Sequence, residues 1–373
     1  MRVILFFTYG ISLLDWKTSG LLEREVYFYK FLNERYNLNF TFITFGNHED
    51  KKILNYEFID VLPVYEYMKY DNNKILRFLR SFLIPFKFRK AIKDGQILKT
   101  NQLLGSWIGI VSKLKYNIPL ITRTGYDPYT FSKLNKKGKM KQIFYYVLTK
   151  ITLKYTDIYL VSSKVDKDFL SMISPKYLSK LKIRPNWIKN QKVNNFSERH
   201  KNKIISVGRL EEQKNFYELI DGLKDTKIQI DIYGEGSQKN NLLDHAKKQN
   251  VKLKIISPVS NDILIEEIKN YKIFISSSKF EGNPKSLLEA MSCGCVVVTK
   301  ENKNIYEIIE NLNNGITYKN TDEIKSILSK YINNEEEWIG ISNKAYEHVN
   351  MFNNLEDIAH EEMLDYKILN FPD

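Results

Sequence analysis

Residues Phe280 to Thr299, reading FEGNPKSLLEAMSCGCVVVT, decide the fold of this chain. The apolar run at 271–276 that precedes them is typical of a buried strand, and the valine-rich end of the stretch predicts a second strand. Between the two strands, Asn283 is predicted to be a helix N-cap, Pro284 the first helical residue and Gly294 the stop. The stretch therefore predicts a strand, a loop, a short helix and another strand.

The start of that predicted helix is a candidate anion site. The N–H groups of Lys285, Ser286 and Leu287 are predicted to lack intrahelical partners and to point toward the strand end, which favours phosphate above all. Two carboxylates frame this position, Glu281 in the loop and Glu289 on the helix. An ordinary strand–helix–strand unit with solvated acids explains the same residues, so the stretch alone does not establish a binding site.

Composition favours a folded protein with anionic partners. The chain has 373 residues, of which 43% are hydrophobic, enough for two domains with real cores. Its formal net charge of +13 favours nucleotide phosphates, an acidic membrane surface or nucleic acid as partners. The two cysteines, Cys293 and Cys295, form neither a CxxC motif nor a disulfide framework, so we expect a reducing compartment.

No targeting segment or metal site is predicted. The first apolar run is too short for a signal peptide, and no run has the length that a spanning helix needs. We expect a cytoplasmic protein, free or peripheral on the inner face of the cytoplasmic membrane. Asp166 and Asp168 resemble a metal-binding DxD motif, but they open a predicted helix, where the helix dipole favours acidic residues. The five histidines are scattered, and we expect no metal and no cofactor.

Short apolar runs alternate with amphipathic helical segments, which is typical of parallel sheets flanked by helices. The predicted strands are Arg2–Phe7, Phe40–Phe45, Phe58–Pro63, Pro119–Thr122, Asp157–Val161, Ile204–Val207, Ile228–Tyr233, Leu253–Ile256, Ile273–Ser276 and Val296–Thr299. A polar stretch from Lys189 onward predicts the domain boundary, with one domain at 1–188 and a second at 189–353. Two doubly wound domains are expected to bind ligands beyond the carboxyl ends of their strands.

Two cations in the second half are candidate phosphate ligands. Arg209 follows the strand that ends in Val207, and Lys214 lies at the start of the next helix. A guanidinium fork and an ammonium at one strand end suit a pair of phosphates. Both side chains could equally be solvated surface cations. The segment YGEG at 233–236 lacks the third glycine of a dinucleotide-binding fingerprint, so it predicts only a tight turn between a strand and a helix.

Two basic segments of the first half, 69–93 and 133–141, contain or lead into aromatic and aliphatic residues. Such a mixture suits an anionic bilayer surface. A surface helix whose Phe78, Phe82, Phe86 and Phe88 face the core explains the first segment equally well. Nucleic acid is the least favoured partner and is not expected, because no recognised binding module accompanies the charge.

Three motifs together resemble the retaining glycosyltransferases of family 4, which have the GT-B fold. They are VGRL with QKN at 207–215, YGEG at 233–236 and FEGNPKSLLEAM at 280–291, in the family's order and spacing. The likeness is dense from about residue 180 to 350 and thinner before it. It implies two Rossmann-like domains facing across a cleft, with 1–188 on the acceptor side, 189–353 binding a nucleotide sugar, and a C-terminal helix at 354–373 that crosses back to the first domain.

The resemblance also implies roles for individual residues. Glu281, Arg209 and Lys214 would be catalytic, with both cations holding the donor diphosphate, Glu281 contacting sugar hydroxyls and Glu289 the ribose hydroxyls. The implied donor-binding set is Gly208, Arg209, Lys214, Gly234, Val259, Glu281, Gly282, Asn283, Pro284, Ser286, Leu287, Leu288 and Glu289. The implied acceptor-side set is Gly20, Arg123, Tyr126 and Asp127, and whether Tyr126 or Asp127 replaces a histidine common in the family is open. Cys295 stands where the family usually has proline.

The expected function is therefore metal-independent, retaining transfer of a hexose-type sugar, with a UDP-linked donor expected. The acceptor would be a glycan or lipid-linked glycan in surface polysaccharide biosynthesis. Two alternatives are a GT-B sugar-nucleotide epimerase and a catalytically silent GT-B partner subunit. The joint presence of Arg209, Lys214, Glu281 and Glu289 disfavours both.

Overall fold

Two parallel β-sheets organise the chain in a computed structural model, which describes residues 1–135, 138–333 and 335–370. The first sheet has seven strands in the order β3-β2-β1-β4-β5-β6-β7. Their bounds are β1 (Arg2–Phe6), β2 (Asn39–Thr44), β3 (Ile59–Pro63), β4 (Ile97–Thr100), β5 (Leu120–Thr124), β6 (Ile158–Val161) and β7 (Leu181–Ile183). The interior strands β1 and β6 carry apolar runs, as expected where helices cover both faces of a parallel sheet.

Ten α-helices of the first half accompany this sheet. They are α1 (Leu13–Thr18), α2 (Leu22–Tyr36), α3 (Val64–Tyr67), α4 (Lys74–Ser81), α5 (Ile84–Lys87), α6 (Arg89–Lys93), α7 (Ser106–Tyr116), α8 (Pro128–Leu134), α9 (Lys139–Tyr155) and α10 (Lys164–Ile173). Local sequence sets several of their ends. Ser12 and Asp15 form a reciprocal capping box at the start of α1. Asn37 adopts the left-handed conformation that ends α2.

The second sheet has six strands in the order β10-β9-β8-β11-β12-β13. Their bounds are β8 (Lys203–Val207), β9 (Gln229–Tyr233), β10 (Lys252–Ile256), β11 (Ile273–Ser276), β12 (Val296–Lys300) and β13 (Ile316–Tyr318). The helices of this half are α11 (Phe216–Gly222), α12 (Lys239–Lys248), α13 (Asn261–Ile268), α14 (Lys285–Ser292), α15 (Thr321–Asn333) and α16 (Glu335–Phe352), followed by α17 (Leu355–Asn370). Short 3₁₀ helices span His48–Lys52, Pro175–Lys180, Phe196–Glu198, Glu212–Lys214 and Ile305–Glu307.

The sheets belong to two units with separate cores. Unit 1 comprises Met1–Arg184 and the segment from Ile358 onward, and unit 2 comprises Pro185–Asp357. The division therefore precedes the predicted boundary at 188. The polar stretch from Lys189, interpreted as a linker, lies within unit 2, where Arg199 is buried and donates to the carbonyl of Gly294 at 2.7 Å.

Helix α17 returns to unit 1 through buried charges. The ammonium of Lys99 on β4 donates to the carboxylate of Glu362, which also accepts from the hydroxyl of Tyr366 at 2.5 Å. Arg184 donates to Asp365 at 2.7 Å. Burial lowers the pKa of Lys99. Burial raises the pKa of Glu362, but the charges of Lys99 and Arg184 and the hydrogen bonds from Lys99 and Tyr366 together outweigh it, so the pKa of Glu362 is lowered. No helix in the described ranges is long and apolar enough to cross a membrane.

Candidate functional site

The order of the unit 2 sheet reverses between β8 and β11, which lie side by side with Ile205 opposite Phe274. From β8 the chain proceeds outward to β9 and β10, whereas from β11 it proceeds in the other direction to β12 and β13. Ligands of open parallel sheets bind beyond the carboxyl ends of the strands at such a reversal. Arg209 and Lys214 follow β8, and Glu281 follows β11. The fold therefore gathers these predicted residues at one edge of the sheet.

Lys214 and Glu281 are in direct contact. The Lys214 ammonium lies 2.5 Å from a carboxylate oxygen of Glu281, and their side chains are 17% and 14% exposed. Such limited exposure leaves the pair open to a ligand while reducing solvent screening of its charges.

The backbone around this ion pair is fixed by hydrogen bonds between the two loops. Ser277 donates its hydroxyl to the carbonyl of Lys214 at 2.7 Å. The N–H of Lys279 donates to the carbonyl of Gln213 at 2.9 Å, and the Gln213 amide donates to the carbonyl of Phe280 at 3.0 Å. The positions of Lys214 and Glu281 are therefore set by main-chain contacts, which is what a preorganised site requires.

Glycines allow the loops after β8 and β9 to approach this closely. A Cβ atom on Gly234 would lie 1.9 Å from the carbonyl oxygen of Gly208. A Cβ atom on Gly208 would lie 2.8 Å from Cε of Lys214. Both predicted donor-binding glycines thus have a backbone role beside Lys214. Gly282, also in the predicted set, is buried in the loop after β11.

Arg209 is exposed at the tip of β8. Among the described residues its guanidinium forms no ion pair or side-chain hydrogen bond, so its donors are available to an anion. The neighbouring carboxylate of Glu211 accepts instead from the N–H and hydroxyl of Ser237, at 3.0 and 2.9 Å. Those hydrogen bonds lower the pKa of Glu211, and the charge of Arg209 adds to the effect.

The predicted N-cap at Asn283 is wrong. Helix α14 begins at Lys285, and Pro284 occupies the position before it without a side-chain cap. The side chain of Asn283 is used elsewhere, because its Oδ1 accepts from the N–H of Asn186 at 2.8 Å. Its carbonyl accepts from the Asn186 side-chain amide at 2.5 Å. Asn283 therefore anchors the loop that carries Glu281 instead of capping the helix.

Not all of the N–H groups predicted to be available to an anion at the start of α14 are available. The N–H of Leu287 donates to the carbonyl of Pro284 at 3.1 Å, and that of Leu288 to the same oxygen at 3.2 Å. The first helical residue, Lys285, places its ammonium 3.5 Å from the ring centroid of Trp187. In the described chain no hydrogen bond engages the N–H of Ser286, which remains a donor for a phosphate oxygen.

Glu289 is almost fully buried on α14, and one of its carboxylate oxygens accepts from the amide of Asn261 at 3.0 Å. A cavity of about 290 Å³ lies beside it, with Trp187, Lys285 and Asn261 among its lining residues. Val259, predicted to flank the nucleotide base, is half-buried against the core of unit 2. A buried carboxylate facing a cavity suits recognition of hydroxyl groups.

The acceptor-side candidates all lie in unit 1. Gly20, with φ of +70°, follows α1, and Arg123 is half-buried on β5 near Lys99 and Tyr29, where its charge acts on both groups. Asp127 is buried and caps α8 by accepting from the N–H of Thr130 at 2.7 Å. Burial raises its pKa. Tyr126 packs edge-on against Phe131. Their role toward an acceptor stays a prediction.

Asp166 of the DxD-like motif lies in the first turn of α10. At the start of α10, the hydroxyl of Ser163 donates to the carboxylate of Asp166 and accepts from the N–H of Asp166. In the described residues there is no group of three or more His, Cys, Asp or Glu side chains that could hold a metal. Cys293 and Cys295 are free and buried, and burial raises the pKa of the Cys295 thiol to about 12. Neither thiol is therefore a reactive nucleophile at neutral pH.

Sequence reasoning missed three residues that shape this site. Asn186 holds the Glu281 loop, Ser277 holds the backbone of Lys214, and Asn261 holds Glu289. Each contact joins residues at least 28 positions apart. Polar residues of this kind are common in loops, and no local pattern distinguishes a residue that binds a distant loop from a solvated one.

Comparison with known proteins finds a family match within unit 2. Residues 188–348 match the family model of the glycosyl transferases group 1. The capsular polysaccharide biosynthesis glycosyltransferase CapH of Staphylococcus aureus is 25% identical over 247 residues, 62% of this chain and 67% of that protein. A second relative, from Campylobacter jejuni, is 27% identical over 252 residues, 64% of this chain and 67% of that protein. Its name is N-acetylgalactosamine-N,N'-diacetylbacillosaminyl-diphospho-undecaprenol 4-alpha-N-acetylgalactosaminyltransferase.

Solved structures share the fold over the whole chain. HepE of Anabaena in complex with UDP has a TM-score of 0.76 at 14% identity, covering 98% of this chain and 100% of that one. A variant of TarM from S. aureus, in complex with fondaparinux, α-GlcNAc-glycerol and UDP, has a TM-score of 0.77 at 13% identity. It covers 98% of this chain and 99% of that one. The expected GT-B fold is confirmed.

Proposed function

We propose that this chain, a group 1 glycosyltransferase by its residues 188–348, transfers a sugar from a UDP-linked donor to a glycan or lipid-linked glycan. The observation that carries the proposal is the placement of Arg209, Lys214 and Glu281 at the switch point of the unit 2 sheet. Two cations and a carboxylate at this edge match the diphosphate and the hydroxyls of a nucleotide sugar.

The cations have a defined chemical task in this proposal. Breaking the bond between the sugar and the diphosphate leaves new negative charge on the diphosphate oxygens. Arg209 offers a guanidinium fork, and Lys214 an ammonium whose position is set by main-chain contacts. Donors held in advance at the place where charge develops stabilise the transition state strongly. Because these cations supply the positive charge, we propose that the transfer needs no metal.

The two glutamates bind the other parts of the donor. Glu281 contacts the sugar hydroxyls beside the ammonium of Lys214, and Glu289 contacts the ribose hydroxyls from the base of its cavity. We propose Gly208, Gly234 and the start of α14 as the walls around the diphosphate, with Val259 flanking the base. The UDP complexes of the similarly folded HepE and TarM support a uridine nucleotide as donor.

The proposed reaction retains the configuration of the anomeric carbon. The acceptor hydroxyl attacks from the face that the nucleotide leaves, so that the hydroxyl proton can pass to a departing diphosphate oxygen. The C–O bond to the diphosphate breaks and the C–O bond to the acceptor forms on the same face. This stereochemistry rests on the resemblance to the retaining family, and the anomeric configuration of the product tests it.

The acceptor is proposed from the relatives and from charge. CapH is named for capsular polysaccharide biosynthesis, and the Campylobacter relative for a diphospho-undecaprenol acceptor. A lipid-linked acceptor is presented at a bilayer. The basic and apolar segments of unit 1 support peripheral attachment at the inner face of an anionic membrane.

A panel of nucleotide sugars tests the proposal. We expect UDP sugars to raise the melting temperature, because a ligand of the native state stabilises it. With a lipid-linked glycan acceptor, NMR of the product should show the anomeric configuration of the donor, and EDTA should leave the rate unchanged. Conversion of the UDP sugar to its epimer without acceptor and without net release of UDP would support the epimerase alternative. Inversion, or full inactivation by EDTA, would contradict the mechanism.

A further inference from the structure

Two segments of unit 1 concentrate positive charge without any acidic residue. Residues 74–93 carry seven basic side chains and residues 128–156 carry another seven, and neither segment contains Asp or Glu. These segments include α4 and α9. A solvated face normally mixes both signs of charge, so this arrangement attracts an anionic surface.

Each of these helices also exposes a row of apolar side chains. On α9 the row is Met140, Ile143, Val147 and Ile151, whose spacing of three or four residues places them on one face. Met140 is 87% exposed. On and after α4 the exposed apolar residues are Ile75, Leu76, Leu79, Leu83 and Phe86, of which Ile75 is 71% exposed. Exposed apolar rows flanked by cations are the pattern of an interfacial helix.

Of the four phenylalanines of the first segment, the structure turns three toward the core of unit 1 and leaves Phe86 48% exposed. Phe88 is buried, and Phe78 and Phe82 pack against Trp107 of α7. Phe78 also meets Phe144 of α9, with ring centroids 6.3 Å apart. The aromatic contacts thus join the two basic helices and leave their aliphatic residues exposed.

A wholly apolar groove of about 250 Å³ lies where α4, α7 and α9 meet. Its lining includes Phe78, Phe82, Trp107, Phe144, Val147 and Ile151. The indole N–H of Trp107 is satisfied by the hydroxyl of Ser81 at 2.8 Å, so the groove offers a ligand no polar partner. A groove without polar partners, opening between exposed apolar side chains, suits a hydrocarbon chain.

A second groove with a lysine rim adjoins the first. Ile151 lines both, and the second is framed by Lys150, Lys154 and Lys176 over an apolar floor. Each ammonium lies over a tyrosine ring, at 4.8 Å for Tyr146, 4.9 Å for Tyr155 and 4.9 Å for Tyr177. In the part of the chain that the structure describes, none of the three lysines forms an ion pair, so all three are available to a phosphate.

We propose that this face of unit 1 binds an anionic phospholipid of the bilayer, with one acyl chain in the apolar groove and the phosphate on the lysine rim. The charge selects the occupant, because a neutral or acidic protein surface would not require three cations beside a hydrocarbon groove. The inference rests on the proposed function only in that a lipid-linked acceptor is presented at a bilayer. It names the lipid that attaches the enzyme there.

Tryptophan quenching tests the groove directly. Vesicles of phosphatidylcholine and phosphatidylglycerol with brominated acyl chains are mixed with wild type and with Trp107→Phe, and the difference isolates Trp107 emission. We expect brominated chains to quench that emission, and Val147→Phe, which fills the groove mouth, to reduce the quenching at least threefold while vesicle binding persists. Vesicle binding without quenching of Trp107, or quenching that Val147→Phe leaves unchanged, overturns the groove assignment.

Matched charge variants test the rim. The triple change Lys150→Gln, Lys154→Gln and Lys176→Gln should weaken partition into anionic vesicles at least tenfold at low salt. A triple change of the same charge at exposed lysines of unit 2, Lys247→Gln, Lys248→Gln and Lys252→Gln, should leave it unchanged. Equal loss in both triples, or equal binding to neutral vesicles, overturns the proposal. UDP binding measured on the same samples reports the sugar-transfer proposal separately, because all these changes lie outside the proposed donor site.

Discussion

The ammonium of Lys214 lies 2.5 Å from the carboxylate of Glu281, although 67 residues separate them in the chain. Each residue is therefore the other's partner until a ligand arrives. On the proposed function, a diphosphate would compete for Lys214 and a sugar hydroxyl for Glu281. We therefore expect the pair to couple recognition of the phosphates to recognition of the sugar.

Glu281→Gln should affect binding of the sugar part of the donor differently from binding of its UDP part. We expect affinity for a UDP sugar to fall at least tenfold, because the amide offers one neutral acceptor oxygen where the carboxylate offers two charged ones. Affinity for UDP itself should stay equal or rise, because Lys214 no longer shares its charge with a carboxylate. Calorimetric titration measures both constants, and a parallel loss of both would contradict the assigned roles.

Glu289→Gln should reduce the selection of ribose. In wild type we expect UDP to bind at least tenfold more tightly than 2′-deoxy-UDP, and in the variant we expect the ratio to approach one. The matched control is Glu266→Gln, an exposed carboxylate beside the same cavity. If the variant keeps the wild-type preference for UDP, Glu289 does not bind the ribose.

Asn283→Ala should lower kcat by roughly 10–10², since a loop displaced by about 1 Å can cost that much. Asn283→Asp keeps the oxygen that accepts from the Asn186 N–H and should retain most activity. Asn283→Ser keeps a polar side chain but is too short to reach Asn186. Wild-type kcat in Asn283→Ser would therefore indicate that the loop anchor is unimportant.

The parallel-sheet fold was predictable because short apolar runs such as those of Arg2–Phe6 and Val296–Lys300 form strands that are buried on both faces. Three strands were missed. Ile97–Thr100 contains Lys99, whose charge is compensated by Glu362 from a distant helix. Leu181–Ile183 and Ile316–Tyr318 have only three residues each. No local window contains the compensating partner or enough residues to show a period.

The candidate site shows the same limit. Motifs located Arg209, Lys214, Glu281 and Glu289, because the segments that carry them follow recognisable strands. The partner of Asn283 could not be found this way, since Asn186 lies 97 residues away and both residue types also suit caps. Sequence located the charged groups, and the structure showed how loops hold them.

Glu362→Gln should destabilise the protein by about 3–5 kcal/mol, because it leaves the ammonium of Lys99 buried without an opposite charge. The double variant Lys99→Met with Glu362→Leu should recover most of this loss, because apolar residues of similar size pack where the pair was. Urea unfolding followed by tryptophan fluorescence measures the three proteins. Equal stability of the single variant and wild type would mean that the buried pair does not fix α17.

Acid should reduce the stability that the Lys99–Glu362 ion pair provides. The pKa of Glu362 is below its unfolded value of 4.5, so its stabilisation is complete above that value and is lost as pH falls through the lower folded pKa. We expect wild-type stability to decline below about pH 4.5 more steeply than that of the Lys99→Met, Glu362→Leu double variant. Parallel curves for the two proteins would contradict this assignment.

The most direct test of the donor site is the affinity of nucleoside diphosphates for Arg209→Ala. Arg209 is exposed and forms no ion pair among the described residues, so the change should not alter folding. Titration of UDP, GDP, ADP and CDP should show UDP binding to wild type and at least a tenfold loss in Arg209→Ala. Arg35→Ala, an equally exposed change in unit 1, should leave UDP affinity unchanged. Equal UDP affinity in wild type and Arg209→Ala, or binding of none of the four nucleotides to wild type, would contradict the account.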